Sequence, residues 1–145
     1  MSEARATFDD LQEGDRYSFS RSISADDVEL FARLCGDDNP LHMDESFATR
    51  SPFGQRVVHG MFSAALISNA HTQLTGPGFV YVGQTLSFRG AVHIGDTLRV
   101  EVWIAEKKAA KQILVCESRV LNQDGVSVVE GRSALKALDA VVVDA

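Results

Sequence analysis

The sequence predicts a single α+β domain in which an antiparallel sheet wraps around one long buried helix. Three observations carry that prediction. The run from His59 to about Leu74 has helical spacing yet is apolar almost all round, through Met61, Phe62, Ala64, Ala65, Leu66, Ile67 and Ala70, and a helix without a wide polar face is ordinarily buried. Four segments of strand character follow it, between Phe79 and Leu138. One amphipathic helix with a well-marked start precedes it. A helix of about 16 residues spans roughly 24 Å, enough to fill the concave side of such a sheet.

Taken in order, residues from about Asp15 to Ser22 read as a short strand entering a helix. Ser24 is placed to cap that helix, with Asp27 at its third position completing a variant of the capping box, and Ile23 and Val28 are spaced for a hydrophobic staple. Val28, Phe31, Leu34 and Cys35 then follow helical spacing, and Gly36 ends the element. Asp37 to Asp44 is irregular, because Pro40 lacks an amide hydrogen and biases Asn39 away from helix. A short helix capped by Asp44, with Phe47 facing inward, is expected next, then a loop at Ser51-Pro52-Phe53-Gly54. Thr75-Gly76-Pro77-Gly78 stops the buried helix. Phe79 to Arg89 reads as a strand with Leu86 and Phe88 on one face, and Ile94-Gly95-Asp96 as a turn. Leu98, Val100, Val102 and Ile104 alternate with Arg99, Glu101 and Trp103, which is a strand with one buried face. Glu106 to Lys111 reads as a hairpin turn, Ile113 to Leu121 as a strand, Asn122 to Gly125 as a turn and Val126 to Leu138 as the last strand. The strands are expected to be hairpin-linked, with the core over about residues 8–138 and a short tail at 139–145 that adds an edge or stays disordered.

Composition narrows the classes. The chain has 145 residues, 45% hydrophobic and 23% charged, as in an ordinary globular domain. The net charge of −6 offers no general attraction to nucleic acid or to an anionic membrane. No basic region followed by an apolar stretch opens the sequence, and no apolar run approaches the ~20 residues of a membrane helix, so the expected setting is cytoplasmic. Cys35 and Cys116 are far apart and both lie in apolar-patterned segments, so both are expected to be buried small hydrophobes.

One segment is richer than folding requires. Asp37-x-Asn39-Pro40-x-His42 puts a carboxylate and an imidazole five residues apart on a Pro-containing loop, and His59-Gly60 opens the buried helix. A helix N-terminus offers unpaired amide hydrogens and a partial positive charge. An Asp/His pair facing it has the parts of an acid–base site with an oxyanion hole. Asp38 reads as a local cap and His93 as structural. The ring of His59 fits either the site or simple packing. A metal bound by His42, Asp44 and His59 matches no strong ligand spacing, so no metal and no other cofactor is expected.

The Asp37-Asp38-Asn39-Pro40-Leu41-His42 loop, followed by Phe53, Val58-His59-Gly60-Met61, Gln84-x-x-x-Phe88 and Gly95-Asp96, resembles the (R)-specific enoyl-CoA hydratases, MaoC-like dehydratases of the hotdog superfamily, over about Ile23 to Leu138. That resemblance implies a hotdog fold and a reversible hydration of trans-2-enoyl-CoA to (R)-3-hydroxyacyl-CoA. It implies that Asp37 and His42 hold the catalytic water and that the Gly60 amide polarises the thioester carbonyl. Ser68 is implied to line the water site, with His59 and Asn39 alongside it on the substrate-binding side. It implies a substrate carried by coenzyme A or acyl carrier protein, bound in a tunnel at the interface of a homodimer. Two departures are Ala91, where many relatives have proline, and His71, where relatives often have an apolar residue near the acyl pocket. Three rival functions share the fold. In a dehydratase of acyl-carrier-protein substrates, surface residues such as Arg56, Arg89 or Lys107 would set the carrier. A hotdog thioesterase commonly carries Asp or Glu on the central helix, and the run from Val57 to Leu74 has neither. A non-catalytic acyl-CoA-binding protein would not need an Asp/His pair.

Overall fold

A computed structural model describes residues 6–139. Strand β1 (Arg16–Ser22) leads into helix α1 (Ala25–Cys35), two short helices α2 (Pro40–Met43) and α3 (Glu45–Thr49), the long helix α4 (Gly60–Thr75), and strands β2 (Phe79–Phe88), β3 (Thr97–Lys108), β4 (Ile113–Leu121) and β5 (Ser127–Ala137). The expected tail strand lies outside the described residues. Among the described residues no helix is long and apolar enough to cross a membrane.

Local signals set the first helix. Ser24 Oγ accepts from the Asp27 amide while the Asp27 carboxylate accepts from the Ser24 amide, and Ile23 and Val28 are both buried beside the cap. Gly36 ends α1 at φ 85°, a left-handed conformation that glycine adopts without strain. The apolar stripe is shorter than its spacing suggests. Val28 and Ala32 are buried, but Leu34 is 77% exposed and Cys35 is exposed as well, because the last turn of α1 reaches past the packed face. Only Cys116 of the two cysteines is buried. Phe47 is likewise 42% exposed; α3 is one turn long and sends only Ala48 inward.

All five strands pair antiparallel, in the order β1-β3-β4-β5-β2. The consecutive-hairpin expectation therefore fails for β2, which pairs with β5 on the far edge from β1 and not with β3. Alternation shows which face a residue takes; it does not show which strand lies alongside. The turn after β3 also comes later than expected. The strand runs on to Lys108, and a single 3₁₀ turn at Ala109–Lys111 makes the hairpin. Helix α4 crosses the concave face, where Leu66, Ile67 and Ala70 pack against Leu98, Val100, Val102, Val120 and Val129. A second apolar cluster, of Phe8, Leu11, Ile104, Leu114, Cys116, Leu135 and Ala137, closes the far end.

One irregularity positions the site. The β4–β5 register shifts next to Val128, and the Val128 carbonyl accepts from both the Arg89 and Gly90 amides. The chain leaving β2 is thereby turned across the N-terminal end of α4. There Val58 N–H donates to Val92 O, and Val57 bridges His93.

Candidate active site

The loop before α2 holds its shape through its own side chains. The Asn39 amide donates to Asp37 Oδ1, and Asn39 Oδ1 caps α2 by accepting from Leu41 N–H. This places His42 on α2 against the segment that enters α4. His42 Nδ1 lies 2.7 Å from the carbonyl oxygen of Val57. A carbonyl only accepts, so Nδ1 carries the proton and Nε2 of the neutral ring presents a lone pair. The ring of His59 stacks on that of His42, with centroids 3.9 Å apart and planes at 28°. His59 Nε2–H donates to the Asp37 backbone carbonyl at 2.9 Å, tying the start of the loop to the start of α4. His59 is buried to 2% exposure, and its Nδ1 has no partner among the described residues.

Asp37, His42 and His59 each bring a potential ligand atom within 4.8 Å of the others. That separation suits one water bridging the carboxylate and an imidazole. Two of the four ring nitrogens, His42 Nδ1 and His59 Nε2, are already engaged with backbone carbonyls.

Next to His42 opens a cavity of about 500 Å³ with mostly apolar walls, contributed by Phe53, Val57, Val58, Met61, Phe88, Ala91, Val92 and Val129. That is within the usual size of a small-molecule site. Gly60 and Ser63 line it from α4. Unlike α1, α4 has no side-chain cap at its N-terminus; Phe62 N–H donates to the His59 carbonyl, which leaves the Gly60 and Met61 amides for another acceptor. Glycine at position 60 leaves room for Phe88, since a Cβ there would sit 2.7 Å from Cδ1 of that ring and push it aside.

The expected site residues therefore separate. His42 and Gly60 line the cavity, and Asp37, exposed and outside that lining, stands beside His42. His59 lies behind His42, and Asn39 is occupied as the α2 cap. Ser68 is exposed on α4, away from this cavity. The serine at the cavity is Ser63, fully buried with an unpartnered Oγ. Sequence reasoning passed over it, although it lies three residues after Gly60 and so on the same helix face. Arg56 was weighed only as a surface charge; it is half-buried and donates through Nε to the His42 carbonyl.

His71, near the other end of α4, is also buried to 2%. Ser133 Oγ donates to the Cys116 carbonyl at 3.4 Å, so His71 Nε2–H, 2.8 Å away, donates to Ser133 Oγ. Burial pulls the His71 pKa down to about 4. Tyr81 packs edge-on against that ring and donates to Gln84 Oε1. Burial pushes both Tyr81 and the Cys116 thiol up to about 12.

The MaoC like domain matches residues 10–125. The chain is 37% identical to an (R)-specific enoyl-CoA hydratase of Rhodospirillum rubrum over 88% of this chain and 89% of that protein. It is 49% identical to a 3-hydroxybutyryl-CoA dehydratase of Methylorubrum extorquens over 68% of this chain, a match that spans 64% of that relative's length. The unliganded R-hydratase PhaJ1 of Pseudomonas aeruginosa superposes with a TM-score of 0.86 at 40% identity, covering 92% of this chain and 86% of that one. With an antiparallel sheet around a central helix, and with likeness at this level over most of its length, the chain belongs to the MaoC-like dehydratases, hydro-lyases of the hotdog fold.

Proposed function

We propose that this protein adds water across the double bond of a trans-2-enoyl-CoA to give an (R)-3-hydroxyacyl-CoA, and runs the reverse dehydration at the same site. The observation that carries the proposal is His42. Its Nδ1 is fixed on the Val57 carbonyl, the Asp37 carboxylate lies beside it, and it lines an apolar cavity that the uncapped N-terminus of α4 also faces. Water held between Asp37 and His42 attacks the β-carbon. The pair takes one proton from that water and delivers one to the α-carbon. Negative charge that builds on the thioester oxygen is met by the Gly60 amide, a kind of donor typically worth ~3–4 kcal/mol. Coenzyme A as carrier and (R) configuration follow the names of the (R)-specific enoyl-CoA hydratases, 37% identical over 88% and 87% of this chain, which are more similar to it than a relative named for an acyl-carrier-protein substrate, 32% identical over 92%. Helix α4 has no carboxylate, which disfavours thioester hydrolysis.

The working unit is a homodimer. Strand β2 is a sheet edge, and it leaves Val80, Val82 and Phe88 between 39% and 52% exposed, next to Met61 at 57%. An open apolar edge of this kind favours pairing with another strand, and a second copy laid along it would cover the exposed face of α4 on which Ser68 lies. A cytoplasmic setting fits a CoA thioester substrate. The test is loss of the enoyl thioester absorbance with crotonyl-CoA, followed by chiral analysis of the product. Formation of (R)-3-hydroxybutyryl-CoA supports the proposal. Release of free coenzyme A with no hydration, or turnover only with carrier-protein thioesters, would displace it.

A further inference from the structure

Arg56, like Lys107 and Lys136, is half-buried and has no carboxylate partner among the described residues, but unlike them it has a buried nitrogen left unbonded. Its Nη2 is buried without any hydrogen-bond partner among the described residues. Such a group costs stability and has to be explained. Its one bond is short and specific: Nε–H donates to the carbonyl oxygen of His42 at 2.6 Å. Two further bonds join the same two segments. The His42 ring donates from Nδ1 to Val57 O at 2.7 Å, and Val57 N–H donates to Leu41 O at 3.4 Å. The 57–58 segment is in turn pinned to Val92 and His93. Helix α2 is only four residues long and has no fully buried side chain, so its packing, through partly buried Met43 and the His42–His59 stack, is supplemented by these bonds.

We infer that Arg56 is a positioning residue, whose guanidinium closes a clasp between α2 and the segment entering α4 and so sets the place and tautomer of His42. The bonds run in opposite senses. Arg56 grips the backbone of His42, while the side chain of His42 grips the backbone next to Arg56. Removing the guanidinium frees the His42 peptide to rotate and lengthens the Nδ1–Val57 bond that reserves Nε2 for the reactant. The inference rests on the catalytic reading of His42, but its test has a readout outside catalysis.

The test compares Arg56→Met and Arg56→Lys with wild type. Each is followed by thermal unfolding, by kcat and KM on crotonyl-CoA, and by the proton and nitrogen resonances of the His42 ring across pH. A displacement of about 1 Å at a catalytic group can cost about 100-fold. Arg56→Met should therefore lose tenfold or more in kcat with KM little changed, and the His42 Nδ1–H resonance should shift or broaden. Arg56→Lys, which keeps a donor and the charge, should recover part of both. The inference is overturned if Arg56→Met is folded and leaves the His42 resonance and kcat as in wild type. It is also overturned if kcat falls while the His42 resonance and its titration stay put, since Arg56 would then act only through general stability. If wild type shows no hydratase activity but the His42 resonance still moves in Arg56→Met, the clasp stands and the catalytic reading is what fails.

Discussion

The two ends of α4 each hold a buried histidine, and the difference between them is one of access. At the C-terminal end, His71 is enclosed by Ser133, Tyr81 and the second apolar cluster, and burial holds it neutral well below its ordinary range. At the N-terminal end, His59 is as deeply buried, but it stacks on a half-exposed partner, His42, which borders a cavity of about 500 Å³. One end is closed. The other is left open by Gly60, by an uncapped helix start and by the turn of the chain after β2. Neither residue type nor the fixing of one ring nitrogen separates the two, since each ring has one nitrogen held; access does.

The sharpest way to break this comparison is to truncate His42, the histidine that borders the cavity at the open end, and His71 at the closed one. His42→Ala should lose between 100-fold and 10,000-fold in kcat on crotonyl-CoA, the usual range for a general acid–base group, and should remain folded by circular dichroism. His71→Leu should keep activity on the same short substrate within about tenfold, a far smaller loss than a general acid–base group brings. Comparable losses at both positions would erase the distinction.

The next effect is on stability against pH. In the unfolded chain His71 titrates near 6.5, and in the folded chain near 4. Between those values the unfolded state binds the extra proton, so stability is full above about pH 6.5 and falls as pH drops toward 4. The loss amounts to about 3 kcal/mol. Urea unfolding at a series of pH values reads this directly. His71→Leu should flatten that limb of the curve, and an unchanged acid slope in the variant would assign the loss to other groups.

Gly60→Ala probes the open end by steric means. A Cβ at Gly60 meets Phe88 at 2.7 Å, whereas at Gly83 the nearest atom is 3.8 Å away. Overpacking of this kind costs about 1–3 kcal/mol, and in Gly60→Ala the displaced ring also disturbs the oxyanion position. Gly60→Ala should lower both kcat and the melting temperature, while Gly83→Ala should change kcat little. The smallest effect is expected far from both ends. Ser24→Ala removes the α1 cap and should cost about 1 kcal/mol in unfolding free energy with kcat unaltered.

What the sequence discloses depends on the range of the interaction. The α1 start was legible because Ser24, Asp27, Ile23 and Val28 act within five residues. The β3 face was legible because Leu98, Val100, Val102 and Ile104 keep strict alternation. The edge position of β2 was not, because pairing with β5 rather than β3 is set by the path of residues 89–96 and the register shift near Val128. Burial of Leu34 and Cys35 was overestimated, since helical spacing shows which residues share a face and not how far the opposing surface extends. At the site, the proximity of Asp37 and His42 was carried by the loop motif. Ser63 and Arg56 were missed in their actual places because one looks like helix filler and the other like a surface charge until their neighbours are known.

The central claim is that Asp37 and His42 act as one unit on one water. The most direct test is a double-mutant cycle in kcat/KM on crotonyl-CoA, using Asp37→Asn, His42→Ala and the double variant, each shown to be folded. Groups that act as a unit are strongly non-additive, so the double variant should lose little more than the worse of the two singles. Losses that multiply would make the two groups independent, and singles that match wild type would place the chemistry elsewhere.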